Sequence, residues 1–263
     1  MNSRERVFKA MKLQTPDRVP LMASPSWGFV LVQNSPIDPV DMWHNHMNLY
    51  PEAFCNISKR FHFDGVKIPG VGLAPLDREK VIAIDQGKAE GTVIYFKNGD
   101  SCTYCPDELP RYQYKAAPEI DINEFNPDSI PEELAYHPVS TRLRMNLRES
   151  PDGRVSEIIK AREIMGPEFS IHGQFYSPED YLIDLLGLEN AMLALHTHPD
   201  KCKEILIRYA TSIGRHVQEL IDCGVDAIKR IGDRAFIKGN KSEPHLGDIY
   251  LNVDKIYSLA HSQ

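Results

Sequence analysis

The chain has 263 residues, of which 42 % are hydrophobic and 25 % are charged, and its formal net charge is −7. This length and composition are typical of a single α/β domain with a sizeable core. The negative charge, without any tract rich in lysine and arginine, argues against nucleic acid as a partner. No run approaches the ~20 apolar residues that span a bilayer, so neither a membrane partner nor a signal sequence is predicted. Five cysteines, an odd number, fit a reducing cytoplasm better than a disulfide framework.

The N-terminal segment predicts a helix, a turn and a strand. Val7, Phe8 and Met11 are spaced to lie on one side of a helix. A Thr-Pro-Asp-Arg turn at 15–18 ends that helix, and the following segment, 19–23, predicts a short buried strand.

The next segments predict a helix, a strand and an excursion from the main domain. Pro51 is predicted to open the helix, because proline costs nothing at the first helical position. Residues 63–70 predict a second strand that ends in a Gly/Pro turn. Two β-rich runs, 91–96 and 101–104, flank an Asn-Gly turn and therefore predict a β-hairpin. This hairpin and the proline-rich acidic passage after it are interpreted as an excursion over about residues 85–165.

The second half of the chain alternates between strands and helices. Strands are predicted at 168–173 and 225–228. Ser177 is predicted to cap the helix after the first of them, and a Cys-Gly pair ends a long helix before the second. Helix, glycine stop and short strand make up the repeating unit of a parallel sheet. A last helix is predicted between Asp248 and Ala260.

This order of motifs resembles the uroporphyrinogen decarboxylase superfamily over nearly the whole chain. The motifs are a Pro-Asp-Arg-Val-Pro turn at 16–20, Gly-Leu-Glu-Asn at 187–190, His-Pro-Asp at 198–200 and Cys-Gly-Val-Asp-Ala-Ile at 223–228. The resemblance implies an α/β fold, a (β/α)8 TIM barrel in a single domain, 1–263, with the excursion after its second strand.

The predicted barrel is incomplete, with about the first four β/α units. Its four strands lie near Val19, Val66, Ile171 and Ala227. A chain truncated at its C-terminus is the simpler interpretation, and strands supplied from elsewhere are the alternative. Since a partial barrel leaves an unpaired parallel edge, self-association through that edge is expected.

The resemblance implies an enzyme, and the superfamily offers two chemistries. Its decarboxylases carry an Arg-Gln-Ala-Gly-Arg run after the first strand, facing a substrate with eight carboxylates. This chain has no arginine between Arg18 and Arg60, which argues against that substrate. The leading hypothesis is therefore methyl transfer between a corrinoid protein and a thiol-type acceptor, with an inactive truncated chain as an open alternative. The alternatives are uroporphyrinogen decarboxylase, a lyase of porphyrin biosynthesis, and a non-catalytic remnant or interaction subunit.

The candidate site residues lie near the C-terminal ends of the predicted strands, where barrel enzymes place their active sites. Those predicted to bind a small-molecule substrate or a corrinoid protein are Ser24, Ser26, Trp27, Lys67 and Gln174. Those predicted to be catalytic are His172 and Asp233, with a structural role as the alternative for His172. Asp64 starts the second strand, where it is either functional or a cap of the preceding turn.

No metal ligand or cofactor is predicted within this chain. In the superfamily's methyltransferases a His-X-Cys pair on the fifth strand and a later cysteine bind zinc, and both would fall beyond Gln263. Zinc and a corrinoid are therefore expected only for full-length methyltransferase relatives. Cys102 and Cys105 have C-x-x-C spacing, but no second pair completes four ligands. The histidine pairs at 44/46 and 196/198 have a spacing that points two helical side chains apart.

Overall fold

The structure is a computed structural model, and its main body is a parallel sheet packed against helices. It describes residues 1–34, 36–44, 46–68, 76–88, 90–115, 120–140, 143–147 and 155–231. Asp233 and the predicted helix between residues 248 and 260 lie outside the described residues.

The predicted N-terminal helix is confirmed as α1, Ser3–Met11. It begins with a capping box, in which the Asn2 side chain accepts from Glu5 N at 2.8 Å and the Glu5 carboxylate accepts from Asn2 N at 3.2 Å. Its buried face differs from the predicted stripe, because Arg6 is buried beside Val7 whereas Met11 is 56 % exposed. A buried arginine on this helix already indicates a polar contact with the sheet.

The prediction of a strand at 19–23 is wrong, because this segment has an irregular backbone. Its only bond to the backbone of the neighbouring strand region runs from Asp64 N to Leu21 O, at 2.7 Å within the described residues. Leu21 N donates instead to the Asp64 carboxylate at 2.8 Å, and Pro20 has no N–H to donate. Leu21, whose backbone faces the neighbouring strand, therefore has no N–H left to donate to a ladder.

Three helices and the first strand of the main sheet follow. They are α2 (Trp27–Gln33), α3 (Pro39–His44), α4 (His46–Arg60) and β1 (Gly65–Lys67). The prediction that Pro51 opens a helix is wrong, because Pro51 lies inside α4. Proline inside a helix removes one backbone hydrogen bond. Burial of Pro51, Phe54 and Ile57 against the core offsets that loss.

The described residues between β1 and the next strand of the main sheet include six antiparallel strands in two sheets. They are β2 (Val81–Lys88), β3 (Gly91–Phe96), β4 (Ser101–Tyr104), β5 (Arg111–Gln113), β6 (Tyr136–Ser140) and β7 (Leu143–Asn146). The predicted hairpin is confirmed by the pairing of β3 with β4, in which Ile94 lies opposite Cys102. Gly99 in its turn has a φ of 88°, which favours glycine. The limits predicted for the excursion, 85–165, stay a prediction.

The second half of the chain supplies most of the main body. Its elements are α5 (Ser156–Met165), β8 (Ser170–Tyr176), α6 (Pro178–Leu186), α7 (Leu188–Thr197), α8 (Pro199–Asp222) and β9 (Ala227–Ile231). The predicted cap is confirmed by a capping box, in which the Asp180 carboxylate accepts from Ser177 N at 3.1 Å. Gly224 has a φ of 84° and ends α8, as the Cys-Gly pair predicts.

The main sheet is parallel, with the order β1-β8-β9. One face of it packs against helices, since Val66, Ile171 and Leu220 of α8 share a core cluster. The approach is close at Gly173, where a Cβ would lie 3.0 Å from a methyl group of Leu220. This mixed α/β architecture is compatible with a partial α/β barrel. No helix of the described ranges is both long and apolar enough to cross a membrane.

Two arginines hold Asp64, directly before β1. Asp64 is 0 % exposed and accepts from Arg6 Nη1 at 2.6 Å and from Arg18 Nη1 at 2.7 Å. Burial opposes ionisation of this carboxyl, but the hydrogen bonds from Leu21 N, Arg18 and Arg6 outweigh it and lower its pKa. These contacts give Asp64 a structural role at the start of the strand.

Asp226 has the same surroundings directly before β9. Its carboxylate accepts from Arg4 Nε and from Arg162 Nη2, both at 2.7 Å, and from Ile171 N at 2.8 Å. Helix α1 therefore contributes one arginine to each of the strands that flank β8. These ion pairs, which we call the α1 clamp (Arg4–Asp226 and Arg6–Asp64), fix the N-terminal end of the main sheet.

Candidate functional site

The second face of the main sheet, which we call the open face, brings three of the predicted site residues together. Lys67 Nζ donates to Ser24 Oγ at 2.7 Å. Lys67 pairs in register with His172, and side chains paired in this way across parallel strands point to the same side. The predicted substrate-binding residues Ser24 and Lys67 therefore lie beside the predicted catalytic histidine.

Both titratable groups of this cluster are shifted toward their neutral forms. Burial of the Lys67 ammonium, with the positive charge of Lys229 nearby, lowers the pKa of Lys67 to about 8. Burial also lowers the pKa of His172, although the negative charge of Asp226 opposes this effect. His172 Nε2 lies 2.9 Å from Ser170 Oγ, and this contact orients the imidazole on the strand. The cluster thus combines a neutral imidazole with an amine that loses its proton at moderate pH.

The sequence-based prediction missed Lys229, a further polar residue of this face. Ala227 pairs with His172, and Lys229 returns to the same side two residues later. A signal was present in the sequence, because Asp-Gly-Val-Lys at 64–67 recurs as Asp-Ala-Ile-Lys at 226–229. In both copies an arginine-bound aspartate precedes the strand and a lysine three residues later lies on the open face.

Ser26 and Trp27 begin helix α2, and their contacts there are structural. Ser26 Oγ accepts from Phe29 N at 3.2 Å and so caps the helix. The Trp27 ring packs against Trp43 and Phe54, with centroid distances of 4.7 and 5.2 Å. A role of either residue in substrate binding stays a prediction.

Gln174 is only 3 % exposed and lines a small cavity, not the solvent-accessible part of the open face. The cavity has about 10 Å³, the space of roughly one water molecule. Its polar lining includes His137, Glu157 and His216, all of them buried. Burial and the neighbouring His216 lower the pKa of His137 well below its ordinary value.

The two buried histidines belong to a directed hydrogen-bond chain. Tyr181 OH donates to Tyr136 O at 2.9 Å, so its oxygen accepts from His137 Nδ1 at 3.1 Å. His137 Nε2 is then left as the acceptor for His216 Nε2 at 3.2 Å. This chain joins the excursion to α6 and α8. Sequence reasoning missed it because His137 and His216 lie 79 residues apart in no common motif.

The described residues contain no group of three or more histidine, cysteine or acidic side chains arranged to hold a metal ion. In the C-x-x-C segment, burial raises the pKa of Cys102 to about 12. The pKa of Cys105 is also raised, mainly by burial, and its Sγ accepts from Arg111 Nη2 at 3.3 Å. Since thiolates are the metal ligands and nucleophiles, these two thiols are poorly suited to either role.

Comparison with known proteins relates this chain to a methyltransferase by fold. No protein-family model and no curated protein sequence match it. A solved structure of a methyltransferase from Methanosarcina mazei matches with a TM-score of 0.52 and 17 % sequence identity. The match covers 87 % of this chain and 58 % of the methyltransferase, so the chain spans less than two thirds of that protein. The chain therefore has a methyltransferase-like fold.

Proposed function

We propose that this chain is a methyltransferase-like member of the uroporphyrinogen decarboxylase superfamily, with its main sheet as the first part of a (β/α)8 barrel. The proposed reaction moves a methyl group between a corrinoid protein and a thiol-type acceptor. The observation that carries this proposal is the fold shared with a methyltransferase over 87 % of the chain. The superfamily motifs at 16–20, 187–190, 198–200 and 223–228 support it independently.

The open face is the proposed site of the thiol acceptor. His172 has a lowered pKa and is therefore mostly neutral near pH 7. A neutral imidazole accepts the proton of a thiol, and the resulting thiolate is the nucleophile that takes the methyl group. Lys67 and Ser24 would bind the acceptor beside it. Asp233 is proposed as a second catalytic group, and Ser26, Trp27 and Gln174 as further substrate-binding residues.

Zinc is expected for full-length methyltransferase relatives, where it would stabilise the acceptor as a thiolate. The described residues of this chain do not supply its donor set. We therefore assign no step of the reaction to zinc, and the proton transfer to His172 is the step that the residues of this chain support.

A methyl-transfer assay tests the proposal. The full chain is mixed with a methylated corrinoid protein and a small thiol, and demethylation is followed by the absorbance change of the corrinoid. We expect demethylation by the wild type and a reduction of about 100-fold for His172→Ala, because general base catalysis contributes at least that factor. His196→Ala, at an exposed position on α7, is the matched control and keeps the wild-type rate.

The same purified protein also distinguishes methyl transfer from decarboxylation. Absence of demethylation by the wild type contradicts the proposed function, and an equal rate in the His172→Ala variant contradicts the role of His172. Conversion of uroporphyrinogen to coproporphyrinogen would support the decarboxylase. We expect none, since the segment between Arg18 and Arg60 has no arginine for the carboxylates.

A further inference from the structure

We propose that Lys67 and Lys229 together form an oxyanion-binding site on the open face, which holds the anionic group of the substrate. The inference rests on the proposed function only in assigning that anion to a substrate. Its ligand class is a carboxylate, phosphate or sulfonate group, whose oxygens accept hydrogen bonds from two ammonium groups at once.

The strand register places the two lysines on one face of the main sheet. Lys67 on β1 pairs with His172 on β8, and Ala227 on β9 pairs with the same histidine from the other side. Lys229 lies two residues beyond Ala227, so both lysines point to the side of the sheet on which His172 lies. The positive charge of Lys229 also contributes to the lowered pKa of Lys67, as expected for two lysines on one face.

Charge balance also favours an anion at this place. Burial and the positive charge of Lys229 both disfavour the ammonium form of Lys67, which donates a hydrogen bond to the uncharged Ser24 hydroxyl. The nearest aspartates in sequence, Asp64 and Asp226, lie directly before their strands, where arginines already pair with each of them. Within the described ranges, neither Lys67 nor Lys229 forms an ion pair. A bound oxyanion would supply a negative charge to both lysines.

The backbones that carry the two lysines are held rigidly. The α1 clamp fixes the starts of β1 and β9, the strands on either side of β8. Each lysine lies three residues beyond its clamped aspartate, in the same Asp-x-(Val/Ile)-Lys sequence. The spacing between the two lysine backbones is therefore set before any ligand binds, which lowers the entropy cost of binding.

Titration of the full chain with inorganic phosphate, methanesulfonate and acetate tests the site, with calorimetry as the measurement. We expect at least one of these probes to bind the wild type. Lys67→Met and Lys229→Met should each weaken that binding about tenfold, since each removes a charged hydrogen-bond donor. Lys203→Met, at an exposed position on α8, is the matched control and should bind as the wild type does. Binding should also weaken above pH 8, where free Lys67 loses its proton.

A second measurement covers the case in which a variant fails to fold. Lysine methyl groups introduced by reductive ¹³C-methylation report the pKa of Lys67 in the wild type by NMR. Addition of the oxyanion should raise that pKa. An unchanged pKa, no binding of any probe by the wild type, or binding within twofold of the wild type in both folded variants would overturn the proposal. Anion binding without methyl transfer would support this site and contradict the proposed function. Methyl transfer without anion binding would contradict this site and support the proposed function.

Discussion

At the scale of single residues, the most consequential side chain is Asp64. It is fully buried, and its two oxygens accept from Arg6, Arg18 and Leu21 N. The sequence placed this aspartate before a strand but left its role open between function and capping. Its actual role depends on Arg6, which lies 58 residues away in the chain. No local pattern contains that information.

Replacement of Asp64 by asparagine should strongly destabilise the protein. The change leaves Arg6, whose side chain is 10 % exposed, without its buried counter-charge. Loss of one partner of a buried pair costs about 3–5 kcal/mol of unfolding free energy. Urea denaturation measures this cost. Asp77→Asn, at an exposed pair with Lys80, is the control and should change the unfolding free energy by less than about 1 kcal/mol. A small effect of Asp64→Asn would show that Asp17 alone compensates Arg6.

At the scale of helices and strands, caps and turns could be predicted from the sequence, whereas elements that depend on distant residues could not. The cap at Ser177, the glycine stop at Gly224 and the β3–β4 hairpin depend on neighbours within a few residues, and all three are confirmed. The strand expected at 19–23 failed because Asp64, far away in sequence, takes the hydrogen bond of Leu21 N. Helix α4 passes through Pro51 for a similar reason, since tertiary burial outweighs the local preference.

Helix α2 offers a test of packing at this scale. A Cβ added at Gly28 would lie 1.7 Å from the backbone oxygen of Asp107, so α2 would have to move away from that loop. We expect Gly28→Ala to lower the unfolding free energy by about 1–3 kcal/mol, the usual cost of overpacking. Gly87→Ala is the matched control, because its nearest neighbour would lie at an ordinary 3.5 Å. Equal midpoints of thermal unfolding in the two variants would contradict this packing.

At the scale of the whole molecule, the excursion and the main body are joined through buried histidines. His137 on β6 and His216 on α8 contact each other, and Tyr181 on α6 completes the chain. The sequence predicted the excursion and the α/β body, because each has its own periodicity. It did not predict how they join, and it missed Lys229, whose position on the open face depends on the register of three strands.

This junction should make stability depend on pH. Burial lowers the pKa of His137 in the folded state, whereas in the unfolded chain it titrates near ~6.5. The unfolded state therefore binds more protons at acid pH. The contribution of neutral His137 to the free energy of unfolding is complete above about pH 6.5 and is lost progressively as the pH falls below that value. Other titratable groups face the same region, namely His216, Glu157 and Glu219. The His137→Gln variant keeps those groups and therefore separates the contribution of His137 from theirs.

Urea denaturation between pH 8 and pH 5 should show a loss of wild-type stability on the acid side. The His137→Gln variant should be less stable at pH 8 and should depend less on pH. The control variant, His196→Gln on α7, should follow the wild type. A pH dependence that is identical in wild type and His137→Gln would assign it to other groups.

The α1 clamp also orders events in time. Arg4 and its partner Asp226 are separated by 222 positions in the chain. At the ~5–20 residues per second of protein synthesis, the carboxylate is made roughly 10–45 s after the arginine. Helix α1 therefore cannot complete its ion pairs until β9 has been synthesised, and closing so long a loop is a slow, non-local step. Helix α1 is thus synthesised well before the contacts that fix it to the sheet can all form.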